Sequence, residues 1–485
     1  MHQARDPVPI GLLIVNSDLS MKGISSILRY ASIIVSKALR PRVCPNLDVC
    51  LLLPRTPQTV INKSRIFDVV ITDDMTGDEK EIIRLASTFD VQSLEGPEIT
   101  TYPSVCVGGT FDMFHHGHRV ILGIAALLTG CRLLVGVTDI CLIHKKCLAP
   151  LIQTCESREA TLLKFLTDID FPEKQLVIHR LTDPYGPPSR QPDFQCIIAS
   201  PETVSGCEKI NEMRRDLNFD PLHIEKVDYV ARNRKDSFSL PRDYADFKFS
   251  SSTLRLNLLG RPISRLFSRN MQPKPDAWVI GLTGVIASGK STIANYLKRC
   301  DNDRVHLVNG DAICRRVYEC DSESCTNLDN HLIREILKRL DVPLDVTTFE
   351  QSRISSLVKS EVNQLLSKQH ARPLIVVLES TLLYEVGLDA ICNEIWSVFI
   401  PRSEAVNRAE ARCIVTDEAM LRSVRNQTSE SKVDWWTPCQ RDLGVGPIGR
   451  ANVVFCTAWD MEFTREQVER AWQYLLQAIS PPDLS

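Results

Sequence analysis

The sequence predicts an α/β protein made of three successive α/β units. Short apolar segments alternate with amphipathic ones, two glycine-rich turns each join an apolar segment to a helix, and a proline-bearing stretch separates those turns. With 485 residues the chain is too long for one core, and about three domains are expected. We place the units at 1–100, 101–259 and 277–485, with a linker at 260–276.

The composition is that of an ordinary globular protein. The 57 basic and 60 acidic residues nearly balance, so no nucleic-acid partner is expected. The longest uncharged apolar run near the first glycine turn ends at Arg132, well short of a membrane span. The 17 cysteines are scattered, odd in number and absent from any CxxC pattern. They favour reduced thiols in a cytoplasmic setting over disulfides or a zinc site.

The first unit is predicted to have strands and helices but no catalytic constellation. Its predicted elements are Pro9–Val15, a helix at 20–39, Asp48–Leu53, Phe67–Thr72 and a helix at 77–88. The first helix carries basic and no acidic side chains, so it could lie on an anionic membrane surface. The flanking strands favour the alternative, a crossover helix of a buried sheet. A regulatory or targeting role is expected for this unit.

One stretch of the second unit predicts a phosphate-binding turn. An apolar strand, Val105–Val107, runs into Gly108 and Gly109, and an apolar helix follows. The glycines let the backbone approach a ligand closely, and the first helical turn offers N–H groups to an anion. His115 and His118 are three residues apart and project from one face of that turn. Without a nucleophile here, we expect catalysis by positioning and charge stabilisation.

Further polar residues are expected at the same edge of a sheet. The later predicted strands of this unit are Arg132–Val137, Leu176–Leu181, Cys196–Ala199 and Leu222–Val227. Their alternation with helices predicts a parallel sheet covered on both faces, in which ligands bind at the carboxyl ends of the strands. Lys145 and Lys146 fall in a loop at that end, and Ser250–Arg255 starts a helix with hydroxyl groups that can cap it or bind phosphate.

The histidine stretch resembles the nucleotidyltransferases that carry an HxGH motif, since it reads GTFD at Gly109–Asp112 and HHGH at His115–His118. The closing Ser250–Arg255 string favours adenylyl transfer, because cytidylyltransferases with this motif normally close with an RTEG-like string. The set is similar to the Rossmann-like phosphopantetheine adenylyltransferase domain of bifunctional coenzyme A synthases. The other motifs of this resemblance are Asp183–Pro187, Ser200–Thr203, Asn211 and Arg214.

This resemblance implies a reaction and a set of residues. The domain would transfer AMP from ATP to 4′-phosphopantetheine and release pyrophosphate. The implied catalytic residues are His115, His118 and Lys145, with Lys146 as the alternative lysine. The implied ATP-binding residues are Gly108, Gly109, Thr110, Phe111, His118, Arg158, Ser251, Ser252, Thr253 and Arg255.

A second phosphate-binding turn begins the third unit. An apolar strand from Trp278 leads into a match to GxxxxGK[ST] at every position, and a helix follows at Ile293–Lys298. In such a loop backbone N–H groups cradle phosphates, the lysine reaches the transferred group and the hydroxyl can ligate Mg²⁺. The loop residues are Gly284, Val285, Ile286, Ala287, Ser288, Gly289, Lys290, Ser291 and Thr292, with Ser291 as the metal ligand.

Charged side chains follow at later strand ends. Asp311 comes after the strand Val305–Val308 and could orient an acceptor hydroxyl, and Glu379 ends another apolar strand. Arg408 and Arg412 share one helix face, which suits closure over phosphates. Alternatively, Asp311 could simply cap a helix, and Arg408 and Arg412 could simply lie on a solvent-exposed helix face.

With Gln427, these residues resemble dephospho-coenzyme A kinase, which phosphorylates the ribose 3′-hydroxyl of dephospho-coenzyme A with Mg-ATP. The resemblance implies Asp311 as the catalytic carboxylate and Arg408 and Arg412 as a lid over the phosphates. It also implies that one chain carries out two consecutive steps of coenzyme A biosynthesis. The implied partners are ATP, 4′-phosphopantetheine and dephospho-coenzyme A, and the implied cofactor is Mg²⁺.

The kinase-like unit departs from this family at three places. Asn309 stands where the family has the first aspartate of Asp-x-Asp, Thr381 replaces the proline of Pro-Leu-Leu, and 428–449 looks inserted. The alternative is therefore an adenylyltransferase joined to a degenerate, nucleotide-binding unit. We expect a cytoplasmic enzyme, and the animal members of the family suggest peripheral association with a membrane or the mitochondrial surface through the first unit.

Overall fold

The computed structural model of the chain describes residues 11–15, 48–52, 69–72, 100–169, 171–228, 250–263, 277–284, 287–313, 348–367, 373–384, 386–411, 435–436 and 451–479. The chain divides into two compact units. The first holds a three-stranded and a five-stranded sheet, and the second holds a six-stranded sheet. No helix within the described ranges is long and apolar enough to cross a membrane.

The three-stranded sheet contains β1 (Gly11–Val15), β2 (Asp48–Leu52) and β3 (Val69–Thr72), in the order β2-β1-β3. Both pairings are parallel, and each strand coincides with a predicted one. The predicted helices at 20–39 and 77–88 lie outside the described residues.

The five-stranded sheet is parallel throughout, in the order β6-β5-β4-β7-β8, as the alternation of elements predicts. Its strands and the neighbouring helices are β4 (Tyr102–Gly109), α1 (His116–Leu128), β5 (Thr129–Thr138), α2 (Ile140–Ile143), α3 (Cys155–Asp168), β6 (Leu176–Leu181), β7 (Cys196–Ala199), α4 (Val204–Asp216), β8 (His223–Lys226) and α5 (Ser251–Leu258). The chain moves outwards from β4 to β6 and then crosses to β7. A ligand crevice is therefore expected at the carboxyl ends of β4 and β7.

Alternating side chains of β4 pack on opposite faces of this sheet. Val105 and Val107 join a core with residues of α1 and α3, whereas Cys106 joins a core with Cys207 and Ile210 of α4. All three strand residues are at most 1% exposed. The apolar run of β4 is thus explained by burial on both faces. Gly108 and Gly109, which the sequence predicts as a turn, are the last two residues of β4, and the buried part of the strand ends before them.

The six-stranded sheet has the order β10-β11-β9-β12, and β12 also pairs with β14 in parallel and with the short β13 in antiparallel orientation. Its strands and helices are β9 (Ala277–Gly284), α6 (Lys290–Cys300), β10 (Val305–Asn309), α7 (Thr348–Leu366), β11 (Leu374–Glu379), β12 (Glu394–Pro401), α8 (Arg402–Ala411), β13 (Trp435–Trp436), β14 (Val453–Cys456) and α9 (Met461–Ile479). Val376 and Leu378 pack with α7, whereas Ile375 and Val377 pack with α6 and α9. The sheet is covered on both faces, as an α/β fold requires.

The first residues of the predicted linker, 260–263, pair with β14. The Gly260 N–H donates to the Val454 carbonyl oxygen at 2.8 Å, and the Ile263 N–H donates to the Asn452 carbonyl oxygen at 2.8 Å. Gly260 has φ +71°, and a Cβ there would stand 2.1 Å from the Gln467 carbonyl oxygen, so only glycine permits this approach. Residues 264–276 lie outside the described part of the chain, and the linker boundaries stay predictions.

Candidate active sites

The first candidate site is the turn between β4 and α1. His115 is the N-cap of α1 and makes no side-chain capping bond, so the helix starts with its N–H groups facing the turn. Phe111 and Met113 have φ of 51° and 46°, a left-handed conformation that non-glycine residues rarely adopt. Such residues cost about 1–3 kcal/mol each and persist only where their surroundings hold them. The turn is therefore a strained segment at the expected ligand crevice.

The two histidines of the motif lie against each other. Their ring centroids are 3.8 Å apart and the rings are nearly parallel, at 23°. The Nδ1 atoms of His115 and His118 are buried and make no hydrogen bond. On its other side, His115 Nε2 lies 3.5 Å from Ser251 Oγ. Buried polar atoms without partners are costly, and a bound phosphate could satisfy them.

Burial also fixes the charge of these histidines. It lowers the pKa of His115 to about 4, with a smaller contribution from neighbouring His116. Burial likewise lowers the pKa of His118 well below its usual value, and His115 adds to the effect. Both imidazoles are thus neutral near pH 7 before a ligand binds, which allows the rings to stack. A neutral imidazole still donates one N–H to an anion.

We expect His115 to stay neutral from pH 8 down to about 5 in the free protein, because its lowered pKa favours the uncharged ring. Histidine NMR can follow the Cε1 proton, and His115→Gln identifies its resonance. Pyrophosphate should raise the pKa, since a nearby anion stabilises the protonated ring. A titration midpoint near 6.5, the value of a free histidine, would contradict the buried environment.

Arg158 binds the backbone of the turn with its buried side chain. Its guanidinium is 1% exposed and donates to the carbonyl oxygens of Gln153 at 2.9 Å, Thr110 at 2.7 Å and Thr138 at 3.0 Å. Thr110 also accepts a hydrogen bond from the Thr138 hydroxyl at 3.2 Å. The structure therefore gives Arg158 a positioning role, because it ties the end of β5 to the turn. Its predicted contact with phosphate stays a prediction.

Gln153 completes the support of the strained residues. Its side-chain oxygen accepts the Met113 N–H at 3.1 Å, and its own N–H donates to Asp112 Oδ1 at 2.9 Å. The Asp112 carbonyl oxygen accepts the Ser251 hydroxyl at 2.8 Å. The turn is thus held on both sides of Asp112. Sequence reasoning missed Gln153, and no motif singles it out.

The remaining predicted residues of this site occupy varied environments. Ser250 caps α5, since its Oγ accepts the Thr253 N–H at 3.2 Å. Arg255 is 2% exposed and donates from Nε to the Cys147 carbonyl oxygen at 2.9 Å. Lys145 and Lys146 lie exposed after α2. Contacts of these residues with a ligand stay predictions, and Ser252 is likewise untested.

Two motif residues outside the turn shape loops. Arg214 is fully buried, and its guanidinium donates only to backbone carbonyl oxygens, those of Pro188, Gln191, Pro192, Phe194 and Asp220. Asn211 exchanges hydrogen bonds with the backbone of Leu222 at 2.7 and 3.0 Å. These contacts fix the segments around β7 and β8, so both residues position the sheet edge.

The second candidate site is the turn between β9 and α6. Gly289 has φ +92° and is the N-cap of α6, and Ala287 is also left-handed, with φ 60°. A Cβ on Gly284 would stand 2.4 Å from the Val398 carbonyl oxygen, which excludes other residues. Lys290 is 6% exposed, and its Nζ donates to the Gly284 carbonyl oxygen at 3.0 Å. The lysine side chain thus reaches back to the first residue of its own loop. Val285 and Ile286 lie outside the described residues.

Ser291 lies beside a buried carboxylate. Its hydroxyl donates to Glu379 Oε1 at 2.6 Å, and Glu379 ends β11, the strand next to β9. Mg²⁺ prefers oxygen ligands and is usually held by one or two protein groups together with phosphates and water. Within the described ranges, three or more metal-ligating side chains do not cluster anywhere. A hydroxyl and a carboxylate beside a phosphate loop fit an ion of this kind.

Asp311 is oriented by the loop after β11. The Thr381 N–H donates to Asp311 Oδ1 at 2.7 Å, and the Thr381 hydroxyl donates to Oδ2 at 2.8 Å. A proline at 381 would have no N–H, so this departure from the family pattern adds a donor. Asn309, the other departure, accepts the Ala312 N–H on its side chain at 2.9 Å and caps the turn that carries Asp311.

Arg408 lies beside the loop after β14. Its guanidinium donates to Glu404 Oε1 at 2.6 Å, to Thr457 Oγ1 at 2.9 Å and to the Thr457 carbonyl oxygen at 2.5 Å. Sequence reasoning found the arginine and missed Thr457. Arg412, Gln427 and most of 428–449 lie outside the described residues, so their predicted roles stay predictions.

The fold and the two candidate sites define the class of protein. It is a transferase with two nucleotide-binding sites, one of the HxGH type and one of the P-loop type. Comparison with known families gives the same order: a cytidylyltransferase-like model matches residues 106–257, and a dephospho-CoA kinase model matches residues 278–437.

Individual relatives are more specific. Phosphopantetheine adenylyltransferase of Methanosarcina acetivorans is 35% identical over 129 residues, which are 26% of this chain and 80% of that protein. Dephospho-CoA kinase of Moorella thermoacetica is 31% identical over 221 residues, 42% of this chain and 94% of that protein. Phosphopantetheine adenylyltransferase of Saccharomyces cerevisiae is 29% identical over 150 residues, 31% of this chain and about half (49%) of the yeast protein.

The chain therefore belongs to the phosphopantetheine adenylyltransferase family in one part and to the dephospho-CoA kinase family in the part that follows. This order confirms the predicted resemblance to bifunctional coenzyme A synthases.

Proposed function

We propose that the chain catalyses adenylyl transfer from ATP to 4′-phosphopantetheine and then phosphorylation of the 3′-hydroxyl of dephospho-coenzyme A. The observation that carries this proposal is the same in both sheets. A strand inside the sheet, β4 or β9, ends in a left-handed turn that feeds the first N–H groups of a helix. This arrangement binds anions, and each turn belongs to a family named for one of the two reactions.

In the first reaction, a phosphate oxygen of 4′-phosphopantetheine bonds to the α-phosphorus of ATP while the bond to pyrophosphate breaks. The protein need not supply a nucleophile for this exchange. His115 and His118 would donate N–H groups to the phosphates, and the first turn of α1 would add backbone N–H groups and its dipole. The network of Arg158 and Gln153 would keep these donors in place before the substrate arrives.

In the second reaction, the acceptor hydroxyl bonds to the γ-phosphorus of ATP while the bond to ADP breaks. Asp311, fixed by Thr381, would accept the hydroxyl proton. Lys290 would neutralise charge on the transferred group. Mg²⁺, when bound beside Ser291 and Glu379, supplies positive charge to the phosphates.

The alternative, a degenerate kinase-like unit, has no support in the described residues. Lys290 and Ser291 begin α6 after β9, and Asp311 follows β10, so the residues that the resemblance implies for phosphoryl transfer are present. The cytoplasmic location and the peripheral association through residues 1–100 stay predictions from the sequence, because the basic helix at 20–39 lies outside the described residues.

Incubation with 4′-phosphopantetheine, ATP and Mg²⁺ tests both reactions, with products identified by mass. We expect pyrophosphate and dephospho-coenzyme A first, followed by coenzyme A and ADP. Dephospho-coenzyme A that accumulates without further conversion would support the degenerate alternative. If neither product forms, the proposal is wrong; omission of 4′-phosphopantetheine is the control for unrelated hydrolysis of ATP.

A further inference from the structure

We propose that Thr457 is a positioning residue for the phosphate loop of the second site, and that its hydroxyl links this loop to Arg408. The inference rests on the proposed kinase function only where turnover is measured. Its second test measures the binding of Mg-ADP, which needs no dephospho-coenzyme A. Thr457 follows β14, is 5% exposed, and lies outside every motif that the sequence offers.

The Thr457 hydroxyl determines how one peptide of the loop is oriented. Thr457 Oγ1 donates to the Ser288 carbonyl oxygen at 2.7 Å. In a trans peptide the C=O and the following N–H point in opposite directions. The bond to Thr457 therefore turns the Gly289 N–H away from Thr457. With this carbonyl held on the outside of the loop, the N–H is available to a phosphate inside it.

Close packing supports the same orientation. Gly289 has φ +92°, and a Cβ built there would stand 3.1 Å from both Thr457 Oγ1 and Cγ2. A residue with a Cβ at this position would therefore be crowded against the threonine. Ser288 itself is fully buried, so the peptide has little room to rotate. A side chain of the wrong size or polarity at 457 would shift the peptide.

The same hydroxyl meets Arg408. A hydroxyl has one proton, which Thr457 gives to Ser288, so towards Arg408 Nη1 it is an acceptor, at 2.9 Å. Arg408 also binds the Thr457 carbonyl oxygen and Glu404. The predicted lid arginine and the phosphate loop therefore share one side-chain oxygen. Donation from the arginine polarises the hydroxyl and strengthens its bond to the loop.

The test compares Thr457→Val, which keeps the shape and removes the hydroxyl, with Thr457→Ser, which keeps the hydroxyl. Calorimetry with Mg-ADP is expected to show roughly tenfold weaker binding for Thr457→Val, because a buried carbonyl loses its partner, and a change of about twofold or less for Thr457→Ser. In turnover, KM for ATP should rise in Thr457→Val while KM for dephospho-coenzyme A stays unchanged. A merely structural role would not separate these two constants.

Two internal controls exclude misfolding. All six tryptophans lie within residues 278–472, so their fluorescence reports unfolding of the compact unit that holds the six-stranded sheet. The rate of adenylyl transfer reports whether the other compact unit is folded. If Thr457→Val unfolds that unit, the test uses Thr457→Cys, whose side chain has a similar volume and forms weaker hydrogen bonds. Weaker binding of Mg-ADP is expected for this variant too.

Wild-type affinity for Mg-ADP in the folded variant would overturn the inference, as would equal losses of affinity in the valine and serine variants. Wild type that binds Mg-ADP without turnover would contradict the kinase function alone.

Discussion

Replacing Lys290 by methionine is expected to lower phosphorylation of dephospho-coenzyme A by about 10²- to 10³-fold or more, the cost of losing one preorganised charge-stabilising group. Lys290 is 6% exposed and already lies across the loop, bonded to the Gly284 carbonyl oxygen. Its charge is therefore in place before ATP binds, in a site that shields it from water. Methionine keeps most of the length of the side chain and removes the charge.

The same variant should carry out adenylyl transfer at the wild-type rate, because Lys290 belongs to the compact unit that holds the six-stranded sheet, whereas the turn between β4 and α1 belongs to the other compact unit. Arg299→Met is the matched control, since it removes an exposed cation from the same helix, α6. Tryptophan fluorescence verifies that the second unit is folded. Unimpaired phosphorylation in Lys290→Met would refute the assignment of the loop, and loss of both reactions would show that the variant acts through folding.

Replacing His118 by alanine is expected to slow adenylyl transfer by about 10²- to 10³-fold, roughly 3–4 kcal/mol in the barrier. His118 stacks on His115 with ring centroids 3.8 Å apart, and its Nδ1 is buried without a hydrogen-bond partner. Since the ring is held in position and one polar atom is unsatisfied, binding of a phosphate costs little reorganisation. Alanine removes the donor and leaves the turn otherwise intact.

His118→Gln should retain part of the rate, because its amide can donate one N–H. His223→Ala is the matched control, since His223 stacks on Tyr102, 5.3 Å between ring centroids, at the outer strand of the same sheet. Phosphorylation of dephospho-coenzyme A should be unchanged in all three variants. A rate for His118→Ala close to that of wild type would remove the turn between β4 and α1 from the mechanism.

The sequence predicted the strands of the five-stranded sheet and the strands β9, β10 and β11 of the six-stranded sheet, because burial on two faces demands continuous apolar runs; β12, β13 and β14 were not predicted. Val105–Val107 and the residues of β11 are examples, and glycine turns mark where such runs end. The two anion-binding turns were predictable because their motifs are local patterns, although the left-handed residues of the first turn are Phe111 and Met113 and not its glycines. Lys290, Ser291 and the histidine pair belong to those local patterns.

The supports of the turns could not be predicted in this way. Arg158, for which the resemblance implies a phosphate contact, also donates to three backbone carbonyl oxygens in the structure, and the sequence did not predict these bonds. Gln153 reaches back 40 residues to Met113, and Thr457 reaches back 169 residues to Ser288. Every residue has a backbone carbonyl group, so the residue types do not show which carbonyl a side chain will bind. The partners of such side chains therefore cannot be predicted from the sequence.

The sequence by itself determined the fold class, the two phosphate-binding turns and the families to which their motifs belong, because each depends on residues close together in the chain. Only the tertiary structure decided which side chains hold those turns in their left-handed conformations. It also showed that Thr381 orients Asp311 where the family pattern has a proline. Hydrogen bonds between distant segments depend on how the strands are ordered in space, and side-chain spacing along the chain does not encode that order.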